Sequence, residues 1–504
     1  MQRMQWLFIV GAAALLSLGL LILAGCGGGG GPLTQVITTG GPSPSAQFLA
    51  LLPAVQRSAT PVGTAKCVEC HKDPHKDPDP AKLALTVHAK NNVGCESCHG
   101  AGSAHVASPA TTNILTGTDS TRPQVCGQCH GPIQDDFLRS RHASAIEEVL
   151  TSAETSPATG KTCLRCHSAA FRAVTIDEPL SRTGTTVAAV DQATRDQIDA
   201  NITALPNDQV STIVAGTKES ASCTTCHDPH RNTGNLNSEG SEQYLRRATF
   251  STDTTFLQPG TPVKNYTTID HMCGTCHNGR GVDASDAALA KAVRPGMHNG
   301  PQFNMLLGVG GSEKLDTGTV TPTARTSSHS IVPNQCVHCH LPNQRHTFTV
   351  SLDTSCSPCH TAADAASRED ALKSEILNAL TGLKTRMEQW AKTTYNDTDL
   401  WDYSENIKLI LDANGNPKAA PDQTKVPVQI KRARHNYYFV ARDRSFGVHN
   451  SVYTRYMLDI ANRNLDALNV PRSVAQPGRS VAQLFEVINQ DLRRGARSSM
   501  SELR

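Results

Sequence analysis

Sixteen cysteines and eight histidines of this 504-residue chain fall into eight copies of Cys-x-x-Cys-His. The copies are Cys67, Cys70, His71; Cys95, Cys98, His99; Cys126, Cys129, His130; Cys163, Cys166, His167; Cys223, Cys226, His227; Cys273, Cys276, His277; Cys336, Cys339, His340; and Cys356, Cys359, His360. Two thiols three positions apart can add to the two vinyl groups on one edge of a porphyrin, and the next residue then offers an imidazole to the iron. One copy would also fit a redox dithiol or half a zinc site, but eight do not. A framework of Cys-x-x-Cys disulfides would leave all eight histidines unexplained. The cofactor expected is therefore haem c, eight copies, covalently held.

The chain has 17 cysteines, and the one outside the motifs is Cys26. It follows Arg3 and an apolar run from Trp6 to Leu23, in the string Leu23-Ala24-Gly25-Cys26. A basic start, an apolar segment and small residues read as a secretory signal over residues 1–25. The string resembles the lipobox of bacterial lipoproteins, which implies that Cys26 becomes a lipidated N-terminus. Gly27 in place of an acidic residue then favours the outer membrane. The competing reading is a transmembrane anchor, since the run approaches the roughly 20 residues needed to span a bilayer. Export agrees with the haem motifs, because c-type haem attachment takes place outside the cytoplasm in bacteria. The localisation expected is the outer membrane, on its periplasmic face or at the cell surface.

Composition has to be read with the haems included. Aromatic residues are only 4% of the chain, so the large buried surfaces they usually supply must come from porphyrin. At roughly 60 residues per haem, the fold class expected is a multihaem cytochrome c. It would consist mostly of irregular coil with short α-helices around stacked haems, with little β-structure and long C-terminal α-helices. The formal charge of +2 turns acidic once two propionates per haem are added, which argues against a nucleic-acid partner.

Spacing divides the chain further. Residues 26–60 hold the lipidated cysteine and a flexible Gly-, Pro-, Ser- and Thr-rich linker beginning at Gly27–Gly31. Residues 61–360 form the haem-binding domain, and residues 361–504 form a helical C-terminal region. In the haem-binding domain the first four motifs start 28, 31 and 37 residues apart. Phe171–Ser222 carries no His or Cys and predicts an amphipathic helix around Val190–Ile202 followed by a polar loop. Leu372, Ile376, Leu380, Leu383, Met387 and Trp390 recur at helical spacing and predict a helix over Ala362–Thr394. Asp412–Pro417 reads as a turn, and further helices are predicted near Asn450–Leu468 and Val481–Arg494.

What the sixth position of each iron holds decides the mechanism, because a haem with two protein ligands transfers electrons while a five-coordinate haem can bind substrate. Twelve histidines lie outside the motif positions that follow Cys-x-x-Cys. Several sit in strings that resemble those of other multihaem cytochromes, including His105 in HGAGSAH and His230 in CHDPH. With His88, His142, His298, His329, His346 and His449 they make eight candidate distal ligands. His75, His271, His338 and His435 are weaker candidates, and Met272, Met297 and Met305 read as packing residues.

The whole resembles an octahaem c-type cytochrome lipoprotein, similar to the multihaem cytochromes of dissimilatory metal-reducing bacteria. The tail from His435, HNYYFVARDRSFGVHNSVYTRYMLDIANRNL, is similar to the end of the pentahaem nitrite reductase and octahaem reductase group. That likeness implies an axial role for His449, with Asp443, Ser445 and Asn450 orienting it, and it allows a homodimer through the C-terminal helices. In those reductases the catalytic haem is bound through CxxCK, and here every motif ends in His.

Two functions therefore stand. The first is electron transfer through mostly bis-histidine haems in an outer-membrane lipoprotein of respiratory or extracellular electron transport. Its partners would be other cytochromes or acceptors in the periplasm or outside the cell. The alternative is an octahaem reductase or oxidoreductase of a small nitrogen or sulfur oxyanion at one five-coordinate haem.

Overall fold

The computed structural model describes residues 44–72, 79–117, 121–144, 157–182, 192–216, 220–236, 240–258, 270–280, 283–291, 297, 299–322, 324–357, 359–402, 411–416, 418–419, 421–472 and 479–501. The signal segment, Cys26 and His298 lie outside them, as does His75. Two compact units divide the chain. The first comprises the described part of Met1–Ser120 with Gln124–Cys129 and His230–Asn232, and the second comprises Thr121–Pro123, His130–Pro229 and Thr233–Arg504. Among the described residues β-structure is limited to two isolated bridges, His227 with Leu245 and Leu236 with Glu242.

The first unit is built from very short helices, and its apolar core holds only Phe48, Leu52, Leu115 and Val125. Polar side chains do much of the tying. Buried Gln56 donates to the His99 and Ala101 carbonyls at 2.6 and 3.1 Å and accepts from the Leu115 amide at 3.0 Å. The Glu96 carboxylate collects the amides of Val62, Gly63 and Gly102 at 2.7–2.8 Å. Gly100, just past the second motif, has φ +76°, and a Cβ there would stand 2.7 Å from Gln56 Nε2. A side chain at that position would be strained twice over.

In the second unit, the helices Pro157–His167, Ala169–Arg172, Gln192–Ala204 and Asn207–Gly216 enclose Leu164, Phe171, Ile176, Leu180, Ile198, Ile202 and Val210. The amphipathic helix expected near 190–202 is present. The polar loop expected after it is a helix instead, because Val210 and Ile213 supply an apolar face that closes this small core.

Four long helices form the main core. The first, Ala362–Tyr395, starts on the Thr361 hydroxyl, which accepts from the Asp364 amide, and stops at left-handed Asn396. Its stripe residues Ile376, Leu380, Leu383, Met387 and Trp390 are buried within the chain's own core. Ser451–Asp466 and Val481–Ser501 pack with it, and Asp412 Oδ1 pins the expected turn through the amides of Asn414 and Asn416. The fourth, Val428–Asp443, was not legible in the sequence. It is buried continuously from Ile430 to Asp443, so it has no exposed face to give an amphipathic period.

Its buried charges are satisfied in two ways: Lys431 donates to the Ala290 and Gln423 carbonyls, and others meet carboxylates. Arg432 binds Asp286 and Asp316 at 2.7 and 2.8 Å, Arg434 binds Asp402 at 2.5 Å, and the Tyr437 hydroxyl donates to Asp491, which also holds Lys384 at 2.9 Å. Removing one partner of such a pair costs far more than the pair itself contributes.

Two substitutions check this account. Leu380→Ala empties a fully buried position and should cost about 2–5 kcal/mol. Asn450 caps the Ser451–Asp466 helix through Tyr453 N and donates to the Met305 and Arg325 carbonyls. Asn450→Ala should cost roughly 2–4 kcal/mol from the lost cap and the orphaned carbonyls. Guanidinium unfolding followed by far-ultraviolet circular dichroism reads both.

Candidate haem ligands and their pairing

Most motifs occupy a single helical turn. The His amide donates to the carbonyl of the first Cys in the first, fifth, sixth and eighth motifs, at 2.9–3.0 Å. The second and seventh motifs are the helices Cys95–His99 and Cys336–His340, and the fourth ends the helix Pro157–His167. This geometry puts residues i and i+3 on one face with i+4 beside them, so both thiols and the imidazole address the same side. None of the sixteen motif cysteines is in a disulfide.

A second regularity lies in the histidine side chains. Nδ1 of His99, His227 and His340 faces the carbonyls of Leu115, Gln243 and Phe348 at 2.8, 2.6 and 3.2 Å. The distal candidates His105, His329 and His346 do the same with Ala110, Val448 and Gln344 at 3.0, 2.6 and 2.7 Å. A carbonyl can only accept, so Nδ1 carries the proton and Nε2 keeps a bare lone pair. This is the tautomer a metal-ligating histidine needs, held by the outer partner such ligands usually have. Burial also keeps several of these rings neutral: it lowers the pKa of His99 and His227, and it pushes His142 down to about 4 with His277 and His340 nearby.

Rings then face one another in pairs. In the first unit His71 meets His105 with centroids 6.1 Å apart, and His99 meets His230 at 6.3 Å. In the second unit the pairs are His277 with His142 at 5.9 Å, His227 with His346 at 6.4 Å and His340 with His449 at 6.3 Å. Each pair joins one motif histidine to one candidate distal histidine. A metal–nitrogen bond of about 2 Å on each side, plus ~1.2 Å from nitrogen to ring centre, gives roughly 6.4 Å for two imidazoles on one iron. Direct stacking is closer: His271 and Phe303 lie 4.2 Å apart.

The remaining candidates are placed as follows. His88 is half-buried in the short helix Val87–Lys90, and exposed His329 lies in the turn Ser328–Ile331. His271 is committed to the fold, since its Nε2 faces the Thr249 carbonyl and its Nδ1 accepts from the Gly274 amide. His435 is fully buried and bonded through Nε2 to the Gly310 carbonyl. Met297 and Met305 are core residues.

Neighbouring motifs approach through their thiols. The thiols of Cys67 and Cys95, of Cys166 and Cys276, and of Cys273 and Cys336 lie close together. Cys98 and Cys129, Cys226 and Cys276, and Cys339 and Cys356 lie close enough to feel each other's charge.

Sequence reasoning missed the cationic cluster beside them. Arg172 pairs with Asp177 and points Nη1 at Cys276 Sγ, 3.7 Å away. Arg247 is 1% exposed and shares Asp177 with Arg172 at 3.6 Å, yet none of its three side-chain nitrogens makes a hydrogen bond. A buried guanidinium is costly unless an anion matches it, and a porphyrin carboxylate is an anion of the right shape. These arginines come from the segments 172 and 246–247, on either side of the fifth motif, and only folding brings them together. Thiols, bare imidazole nitrogens and two buried guanidiniums sharing the single Asp177 carboxylate all fit haem c.

Comparison with protein-family models points the same way. The family model "Cytochrome c554 and c-prime" matches residues 51–100 and 125–186, a span that contains the first four motifs. No curated protein matches the chain. Among solved structures, the undecahaem cytochrome from the S-layer of Carboxydothermus ferrireducens is similar at 20% identity and TM-score 0.45, covering 81% of this chain. This chain spans 56% of that protein's length. The outer cell wall cytochrome OcwA is similar at 18% identity and TM-score 0.43, covering 74% of this chain and 70% of its own. With its repeated attachment motifs and the family match, the chain is a multihaem c-type cytochrome.

Proposed function

We propose that the chain carries eight c-type haems, closes them mostly with two imidazoles each, and relays single electrons as an outer-membrane lipoprotein of respiratory or extracellular electron transport. The observation that carries this reading is the set of five facing histidine pairs at 5.9–6.4 Å. Bound haem would supply the one-electron ferric/ferrous couple, held by the motif thiols and by His71, His99, His130, His167, His227, His277, His340 and His360. With haem bound, the paired histidines would hold both axial positions and leave none for a substrate, so little would have to rearrange when an electron passes.

The thiol contacts support a relay within each unit. In the first unit, the first, second and third motifs meet in sequence. In the second unit, cysteines of the sixth motif lie near those of the fourth, fifth and seventh, and a cysteine of the seventh lies near one of the eighth. Haems held by these cysteines would have their attachment sites on neighbouring motifs close together. The protein's own part is spacing, ligation and burial, which tune each potential.

Two measurements test this. Mass spectrometry of the mature protein should give a lipidated chain beginning at Cys26 with eight haems attached; a different haem count overturns the octahaem reading. Electron paramagnetic resonance of the oxidised protein should show low-spin haem, and a stoichiometric high-spin signal perturbed by nitrite or hydroxylamine would replace the relay with the reductase. His449→Ala should convert one haem to high-spin, and an unchanged spectrum removes His449 from the ligand set.

A further inference from the structure

Among the ligand histidines whose Nδ1 partner is described, His277 faces the neutral Gln302 Oε1 at 3.3 Å, and two others face carboxylates. His449 Nδ1 faces Asp443 Oδ1 at 2.7 Å, and His360 Nδ1 faces Asp364 Oδ2 at 3.0 Å. The partners of His99, His105, His227, His340 and His346 are neutral carbonyls. A carboxylate draws the Nδ1 proton toward itself more strongly, so the imidazole gains anionic character and becomes a stronger donor through Nε2. A stronger donor favours ferric over ferrous iron and lowers the reduction potential.

The two carboxylates differ in strength. Asp443 is 2% exposed and is held by the Ser445 hydroxyl and amide; in a buried setting its charge is poorly screened. Asp364 is 41% exposed and is shared with Arg368 at 2.8 Å, so water and the guanidinium dilute its effect. The two sites are neighbours, because Cys339 and Cys356 lie within each other's electrostatic reach, and Cys359 is exposed.

We infer that the seventh and eighth motifs form the low-potential end of the second unit, set by Asp443 and Asp364, and that electrons enter there. The inference rests on the axial assignments above. A reduced one-electron donor docking near Cys359 loses one electron as one ferric centre at this end becomes ferrous. The electron then passes to the carbonyl-partnered sites of higher potential, and the donor site returns to ferric. Asp443 and Asp364 are positioning residues that act through the histidines, not on a substrate.

Spectropotentiometric titration of the holoprotein tests it. Asp443→Asn should move the most negative couple upward by one haem's share of the absorbance, with full haem content and an unchanged low-spin signal. Asp364→Asn should move a second low couple upward by less, and Asp443→Glu should restore the wild-type titration. If Asp443→Asn leaves the lowest couples in place at full haem content, or moves a high-potential couple instead, the inference fails. His449→Ala separates the two levels: loss of its low-spin signal alongside an inert Asp443→Asn would refute only the tuning, while an unchanged His449→Ala spectrum would refute the ligation itself. Should Asp443→Asn not load haem, the exposed Asp364→Asn carries the test alone, and an unmoved titration curve overturns the inference.

Discussion

A hydrogen bond from a histidine Nδ1 to a fixed oxygen is the interaction on which the rest depends. It decides which ring nitrogen carries the proton, and so which one can bind iron. It also stops the ring from turning, which a short irregular segment cannot do by packing. The acceptors are carbonyls such as Leu115, Gln243 and Phe348, found 8 or 16 residues beyond the motif histidine. The loops between motifs therefore act as ligand supports.

That demand explains how a chain with so few aromatics is organised. Each motif needs a helical turn to align two thiols with one imidazole, and it then needs a second imidazole delivered from elsewhere. The first unit answers with short helices joined by polar ties such as Gln56 and Glu96. The second adds a conventional core of long helices, and this core delivers His449 directly. Asn450 caps one helix and reaches across to Met305 and Arg325, Asp443 ends another, and His449 is fixed between the two. The buried ion pairs along Val428–Asp443 hold that arrangement in register.

Much of this was legible in the linear sequence. The motifs, the helix over Ala362–Tyr395, the turn at Asp412 and the helix beginning near Asn450 all follow from local spacing and local chemistry. The helix Val428–Asp443 did not show, because Arg432 and Arg434 are buried against Asp286, Asp316 and Asp402, which lie far away in sequence. The helix Asn207–Gly216 did not show because its apolar face is brief. Nor did the inert roles of His271 and His435, which look like any other histidine until their hydrogen bonds are seen.

The sequence by itself determined the cofactor chemistry, since Cys-x-x-Cys-His is a covalent requirement satisfied within five consecutive residues. Only the tertiary structure decided which histidine faces which. His142 lies 135 residues before His277, and His449 lies 109 residues after His340; no periodicity connects positions so far apart. Their pairing comes from packing and hydrogen bonds that bring separate segments to the two sides of one site, and it is realised only when those segments fold together.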